Sequence, residues 1–148
     1  MASQRIKLTS EELGLMSLFQ SVSGAGVRDC IIDEKNGRVI YVVNPGEMGR
    51  AIGKNGIVVK TLQRLIGKPV ELVEYSDDPK TFIKNALDPK LVLDVRLTEK
   101  LDGSKIAVVV VDAKKKSAVV GRNGRNAEKA RLLAKRYFDI ANVHIVSQ

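Results

Sequence analysis

Two copies of one short pattern, Gly53-Lys54-Asn55-Gly56 and Gly121-Arg122-Asn123-Gly124, limit the folds open to this chain more than any other feature. Each follows an apolar pair, Ala51-Ile52 or Val119-Val120, and precedes a segment whose apolar residues recur at helical spacing. The unit is a helix, a Gly-x-x-Gly loop and a second helix, written twice. A single such loop marks an ordinary turn between helices. Repetition changes its weight: the first glycines lie 68 residues apart, and over that offset Val42-Val43 falls on Val110-Val111, Ile52 on Val120 and Asn55 on Asn123. Glycine reaches positive φ and has no Cβ, so the chain can turn sharply and another backbone can come close. The loop opens a helix whose first N–H groups lack partners and carry the positive end of the dipole, which suits a phosphate. Lys54 and Arg122 add a full charge at the same position.

The segments around the loops also repeat. Thr9-Ser10-Glu11-Glu12 fits a capping box, and Leu15, Phe19 and Val22 then recur at helical spacing, which predicts a helix from about Ser10 to Val22, stopped at Ser23-Gly24-Ala25-Gly26. Val27 to Asp33 and Arg38 to Val43 are rich in β-branched residues and flank Asn36-Gly37, a two-residue hairpin signal. Asn44-Pro45 predicts the cap and first position of a short helix through Ile52. After the loop, Val58, Leu62, Leu65 and Ile66 form a stripe that Gly67-Lys68-Pro69 ends, and Val70 to Tyr75 reads as a third strand. Ser76-Asp77-Asp78-Pro79 is the candidate boundary, giving domains 1–75 and 76–148. The second repeats the order: a helix from Pro79 to about Leu87, strands Leu91 to Thr98 and Ser104 to Val111 about Asp102-Gly103, a helix from Asp112 to Val120, the loop, a helix from Arg125 to Asp139 with Ala130, Leu133, Ala134 and Tyr137 on one face, and a strand from Asn142 to Val146.

Ala51-Ile52-Gly53-Lys54-Asn55-Gly56 and Val119-Val120-Gly121-Arg122-Asn123-Gly124 resemble the signature of KH domains, nucleic-acid-binding modules whose loop clamps the backbone of about four nucleotides. The tandem arrangement resembles the archaeal NusA transcription factor family from about Thr9 onward. The resemblance implies an α+β fold of two tandem prokaryotic-type (type II) KH domains, each a three-stranded sheet covered on one face by helices. It implies a non-enzymatic binder of single-stranded RNA, nascent transcripts above all, acting in transcription elongation or termination, with RNA polymerase or a transcription complex as a further candidate partner. Bacterial NusA proteins carry an amino-terminal polymerase-binding domain and an S1 domain, for which this chain has no room beside two KH units, so the resemblance does not carry over direct contact with polymerase.

The candidate RNA-binding residues are Arg50, Ile52, Gly53, Lys54, Asn55 and Gly56 in the first unit, and Lys114, Lys115, Lys116, Val120, Gly121, Arg122, Asn123, Gly124 and Arg125 in the second. Ile52 and Val120 stand where KH proteins place an aliphatic groove wall, although core packing alone would account for both. The lysine run precedes the second loop and could track a backbone beyond it. Lys129, Arg131, Lys135 and Arg136 read as the solvated face of a helix, as do Lys60 and Arg64. The net charge is +8, divided as +2 over residues 1–75 and +6 over 76–148, so a polyanionic partner is favoured and the second unit is the stronger electrostatic anchor. Aromatics make up only 4% of the chain and tryptophan is absent, which argues against recognition by ring stacking.

Enzymatic readings find little support. Gly49 to Asn55 is like a phosphate loop, but its glycines are one residue too close and Asn55 stands where the magnesium-binding Ser or Thr belongs. His144 is the sole histidine and Cys30, expected in the core, the sole cysteine, so neither a metal centre nor a disulfide is expected, and no cofactor is called for. Asp77-Asp78 reads as a capped turn. The start of the chain lacks a signal-peptide pattern and its longest apolar run, Ile106 to Val111, is too short for a bilayer, so a cytoplasmic protein is expected. The alternative function keeps the fold: a KH assembly or adaptor module in ribosome biogenesis, RNA decay or protein–protein contact.

Overall fold

The computed structural model describes residues 6–148, so the first five residues of the expected first domain lie outside the described residues. The described chain gathers into two compact units, one of Lys7–Tyr75 and one containing Ser76–Gln148.

In the first unit, α1 (Ser10–Ser23) opens on the full capping box, with the Thr9 hydroxyl accepting from the Glu12 N–H and the Glu12 carboxylate accepting from the Thr9 N–H. It ends at Gly24, in the left-handed region at φ 70°. Strands β1 (Val27–Asp33) and β2 (Arg38–Val43) pair antiparallel, and β3 (Val70–Glu74) lies parallel to β2, in the order β1-β2-β3. The β-branched runs alternate as strands must: Val39, Tyr41 and Val43 share a core with Phe19 of α1, Ala51 of α2 (Met48–Ile52), Leu62 of α3 (Ile57–Ile66) and Cys30. Phe19 and Tyr41 pack with ring centroids 4.6 Å apart. The Tyr41 hydroxyl donates to the Leu15 carbonyl, and burial pushes its phenol well above the usual range.

The second unit has the same plan. Helix α4 (Pro79–Ala86), strands β4 (Val92–Glu99) and β5 (Lys105–Val111), helices α5 (Lys116–Val120) and α6 (Arg125–Phe138) and strand β6 (Ile140–Ser147) follow in order. The sheet runs β4-β5-β6, antiparallel then parallel. Phe82 of α4 meets Tyr137 and Phe138 of α6 edge-on at 5.2 and 5.9 Å. Even the irregularities recur. Each first strand shifts register, between Val27 and Asp29 and between Val92 and Asp94, and each aspartate accepts from the next N–H, Cys30 at 2.8 Å and Val95 at 2.9 Å. Two tandem KH-type units, each a three-stranded sheet packed with helices, are therefore present.

Several local expectations need correction. The first hairpin is not a two-residue turn: four residues, Glu34 to Gly37, separate the Asp33–Arg38 pair, and only Gly37 has positive φ, while the Asn36 amide donates to Asp33 at 3.0 Å. Residues 100–104 likewise close the second hairpin, with Lys100 N–H donating to the Ser104 carbonyl. The helix expected from Pro45 begins at Met48: Pro45 and Gly46 form a separate turn, closed by the Glu47 N–H donating to the Asn44 carbonyl at 3.2 Å, and Gly46 at φ 83° is not helical. Leu65 is 55% exposed, not part of the α3 stripe. Asp112 caps a 3-10 turn, Ala113–Lys115, ahead of α5, so the helix expected from Asp112 is split. Lys129 is buried, not on a solvated face, since it stands four residues before the core residue Leu133 and so on the same side of α6. Among the described residues, no helix is long and apolar enough to cross a membrane, and no group of three or more metal-ligating side chains occurs.

Candidate nucleic-acid interface

The two glycine loops have the same backbone. Gly53 lies at φ 80°, ψ 166° and Gly121 at φ 83°, ψ 166°. Asn55 and Asn123 are both left-handed, at φ 57° and 56°, as are Gly56 and Gly124 at φ 75° and 73°. The hydrogen bonds match as well: Gly53 N–H donates to the Gly49 carbonyl and Gly121 N–H to that of Ser117, each at 3.0 Å. Gly56 N–H returns to the Gly53 carbonyl at 3.1 Å and Gly124 N–H to that of Gly121 at 3.0 Å.

The sequence folds this way because only glycine fits the first position. Its φ/ψ lies in a region that side chains essentially exclude. A Cβ on Gly53 would stand 2.6 Å from Val58 Cγ2 and 3.0 Å from the Val58 nitrogen. On Gly121 it would stand 2.8 Å from both Cγ and Nδ2 of Asn126 and 3.1 Å from its nitrogen. The fourth glycine is less constrained, with nothing within 4 Å of a Cβ on Gly124 and only Lys60 Cε at 3.9 Å on Gly56. Asparagine tolerates the left-handed region, which explains Asn55 and Asn123. Each loop forms a single 3-10 turn, Lys54–Gly56 or Arg122–Gly124, running into α3 or α6, and the N–H groups that open such a turn have no acceptor within it.

Around this frame the expected residues divide. Lys54, Asn55, Arg122 and Asn123 are exposed on the loops. Arg125 is half-buried on the first turn of α6. Ile52 is 40% exposed and lies beside the loop, whereas Val120 is half-buried. Lys114 and Lys115 stand on the 3-10 turn and Lys116 begins α5, all three exposed and without an ion pair among the described residues. Arg50 is engaged: it pairs with Glu47 at 3.6 Å and donates to the Gly24 carbonyl at 3.2 Å. Arg131 donates from Nε to the Val143 carbonyl, tying α6 to β6.

A family model described as KH domain matches residues 15–98, and one described as NusA-like second KH domain matches residues 79–148. The chain belongs to the NusA-like family of tandem KH proteins. The "Probable transcription termination protein NusA" of Halococcus morrhuae is 37% identical over 141 residues, covering 95% of this chain and 99% of that protein. The protein of the same name from Methanocaldococcus jannaschii is 32% identical over 142 residues, covering 96% and 76%. The crystal structure of APE1850 aligns with a TM-score of 0.84 at 38% identity, covering 94% of this chain and 100% of that one. NusA-like membership accounts for the order of elements in both units.

Sequence reasoning missed two positions beside the loops. Ile57, the first residue of α3, is 56% exposed against the first loop, where the second unit has Arg125. Asn126, in the place of Val58, leans on Gly121. The 68-residue offset aligns both pairs and could have found them.

Proposed function

We propose that the chain binds single-stranded RNA through both glycine loops as a non-enzymatic, NusA-like factor in transcription termination, with nascent transcripts as its ligand. Each of two KH domains, joined at Ser76 to Pro79, would grip one stretch of strand. The observation that carries this reading is the duplicated backbone, in which a glycine-only position, a left-handed asparagine and a second left-handed glycine recur 68 residues apart with matching hydrogen bonds. Such agreement is unnecessary for a mere turn between helices. It supports a main-chain cradle whose opening N–H groups and helix dipole face a phosphate, with Lys54 and Arg122 as the charges beside it. The relatives' names support the transcription setting.

The test is to replace Lys54 and Asn55, or Arg122 and Asn123, by aspartate pairs and titrate labelled single-stranded RNA. Each pair should weaken binding, the second more. Unchanged binding by both would refute the proposal. Contact with RNA polymerase is a separate part of it, checked by co-purification with and without ribonuclease; association that survives digestion supports a direct protein contact.

A further inference from the structure

The loops share a backbone but not a neighbour. In the first unit, the side chain closest to the initial glycine is Val58, an aliphatic group; in the second it is Asn126, whose Cγ and Nδ2 would lie 2.8 Å from a Cβ on Gly121. The Asn126 side chain is therefore held against the very glycine whose missing Cβ opens the site. It is half-buried and makes no side-chain hydrogen bond to any described residue. An amide there has one donor group and one acceptor free, whereas a valine has neither.

We infer that Asn126 is the specificity-determining residue of the second unit, reading a base edge beside the loop, and that the first unit, with Val58 in its place, holds the strand without reading it by hydrogen bonds there. The inference rests on the proposed binding of RNA at the loops. A carboxamide can donate and accept at once along one base edge, and a mismatched base leaves that amide unpaired and desolvated, which is costly. The first unit instead offers exposed Ile52 and Ile57 beside its loop, surfaces against which any base can lie. Phosphate contacts position a strand and base contacts specify it; here the two tasks fall to the shared loop and to its unshared neighbour.

The experiment titrates the full chain with labelled oligo(rA), oligo(rC) and oligo(rU) of equal length at two salt concentrations, for the parent, Asn126→Val, Asn126→Ala and the loop variant with aspartates at Arg122 and Asn123. Valine is already accommodated at the matched position of the first unit, and alanine is the better helix former should valine disturb α6. The parent should show a spread among the three oligonucleotides of about tenfold or more, the lower part of the range for a paired amide contact. Both Asn126 variants should narrow it to within about twofold, with the salt slope of the parent retained. A spread that persists in both variants, or a parent with no spread, overturns the role of Asn126 while leaving loop binding intact. Loss of the reading beneath it looks different: the aspartate loop variant would bind like the parent.

Discussion

Gly53 and Gly121 open loops that agree within a few degrees, yet the sheets behind them begin differently. In the first unit the last residue of β1 faces the first of β2 as Asp33 and Arg38; in the second, where the paired strands run one step further from the bulge, the last residue of β4 faces the first of β5 as Glu99 and Lys105. Arg38 is fully buried, with Nε 2.7 Å from Asp33 and a second ion pair to Glu71 at 3.2 Å, whereas Glu99 and Lys105 are exposed. The closing end of the hairpin thus carries a buried charge network in one unit and a solvated pair in the other. Geometry at the loop is held constant while the support and the surrounding charge vary, so the loop backbone is the shared feature and the rest differs unit by unit.

The largest effect that would break this contrast comes from the buried network. Asp33→Asn leaves Arg38, which has no exposed surface, without the nearer of its two carboxylates, and should cost about 3 kcal/mol. Lys105→Met at the closing end of the second hairpin, where the side chain is exposed, should change stability by less than about 0.5 kcal/mol. Denaturant titration of each variant checks both. Burial alone would raise the Asp33 carboxyl, but its hydrogen bonds to Arg38 and Asn36 outweigh burial and hold it below the usual carboxylate range. A lowered folded value means that its contribution is present above the ordinary unfolded value of about 3.9 and is lost as pH falls through the folded one. The stability gap between parent and Asp33→Asn should therefore close below about pH 4. A gap that stays constant to lower pH would show that the network is not what Asn removes.

Next in size are the first glycines. Gly53→Ala places a Cβ in a glycine-only conformation and against both Val58 Cγ2 and its backbone nitrogen, and should destabilise by about 2 to 3 kcal/mol. Gly121→Ala meets the Asn126 side chain at 2.8 Å and its backbone nitrogen at 3.1 Å, each slightly wider than the contacts to Val58, so about 2 kcal/mol is expected. Thermal melts that reverse the order would mean that α6 yields less than α3 does.

Charge gives a third difference. Lys114, Lys115 and Lys116 are exposed, with no ion pair among the described residues, while Arg50 in the first unit is held by Glu47 and the Gly24 carbonyl. Replacing the three lysines by glutamine should flatten the slope of log affinity against log salt by up to about 0.7 for each phosphate that a lysine no longer neutralises. Arg50→Gln should leave the slope nearly unchanged. Equal slopes for the two variants would remove the second unit's advantage.

Much of this was legible beforehand, and the failures have a common cause. Strands β1 and β2 begin and end where their β-branched runs do, and the Thr9 capping box is a local pattern with a local result. Helix starts misled where a separate turn overruled the pattern, as at the inviting Asn44-Pro45. Lys129 was misassigned because its charge spoke for solvent while its place four residues before Leu133 spoke for the core. The Arg38 network depends on which residues the fold brings together, and no spacing along the chain announces it. At the loop, by contrast, residue type and conformation are one fact, since glycine and asparagine are there because of their φ.

A small effect on the fold offers the sharpest view of the loop itself. Gly56 and Gly124 sit in the left-handed region that Asn55 and Asn123 already occupy, and a Cβ at either meets at most Lys60 Cε at 3.9 Å. Asparagine at these positions should therefore alter stability by under about 1 kcal/mol. A strand gripped by the main chain needs that space, because the new side chain would stand between the loop and the approaching phosphate. RNA affinity should fall in both variants while the melting temperature hardly moves, and Gly124→Asn should lose more because the second unit carries the greater positive charge. If both variants bind as the parent does, the strand does not pass over the fourth glycine, and the matched backbones serve the turn between helices alone.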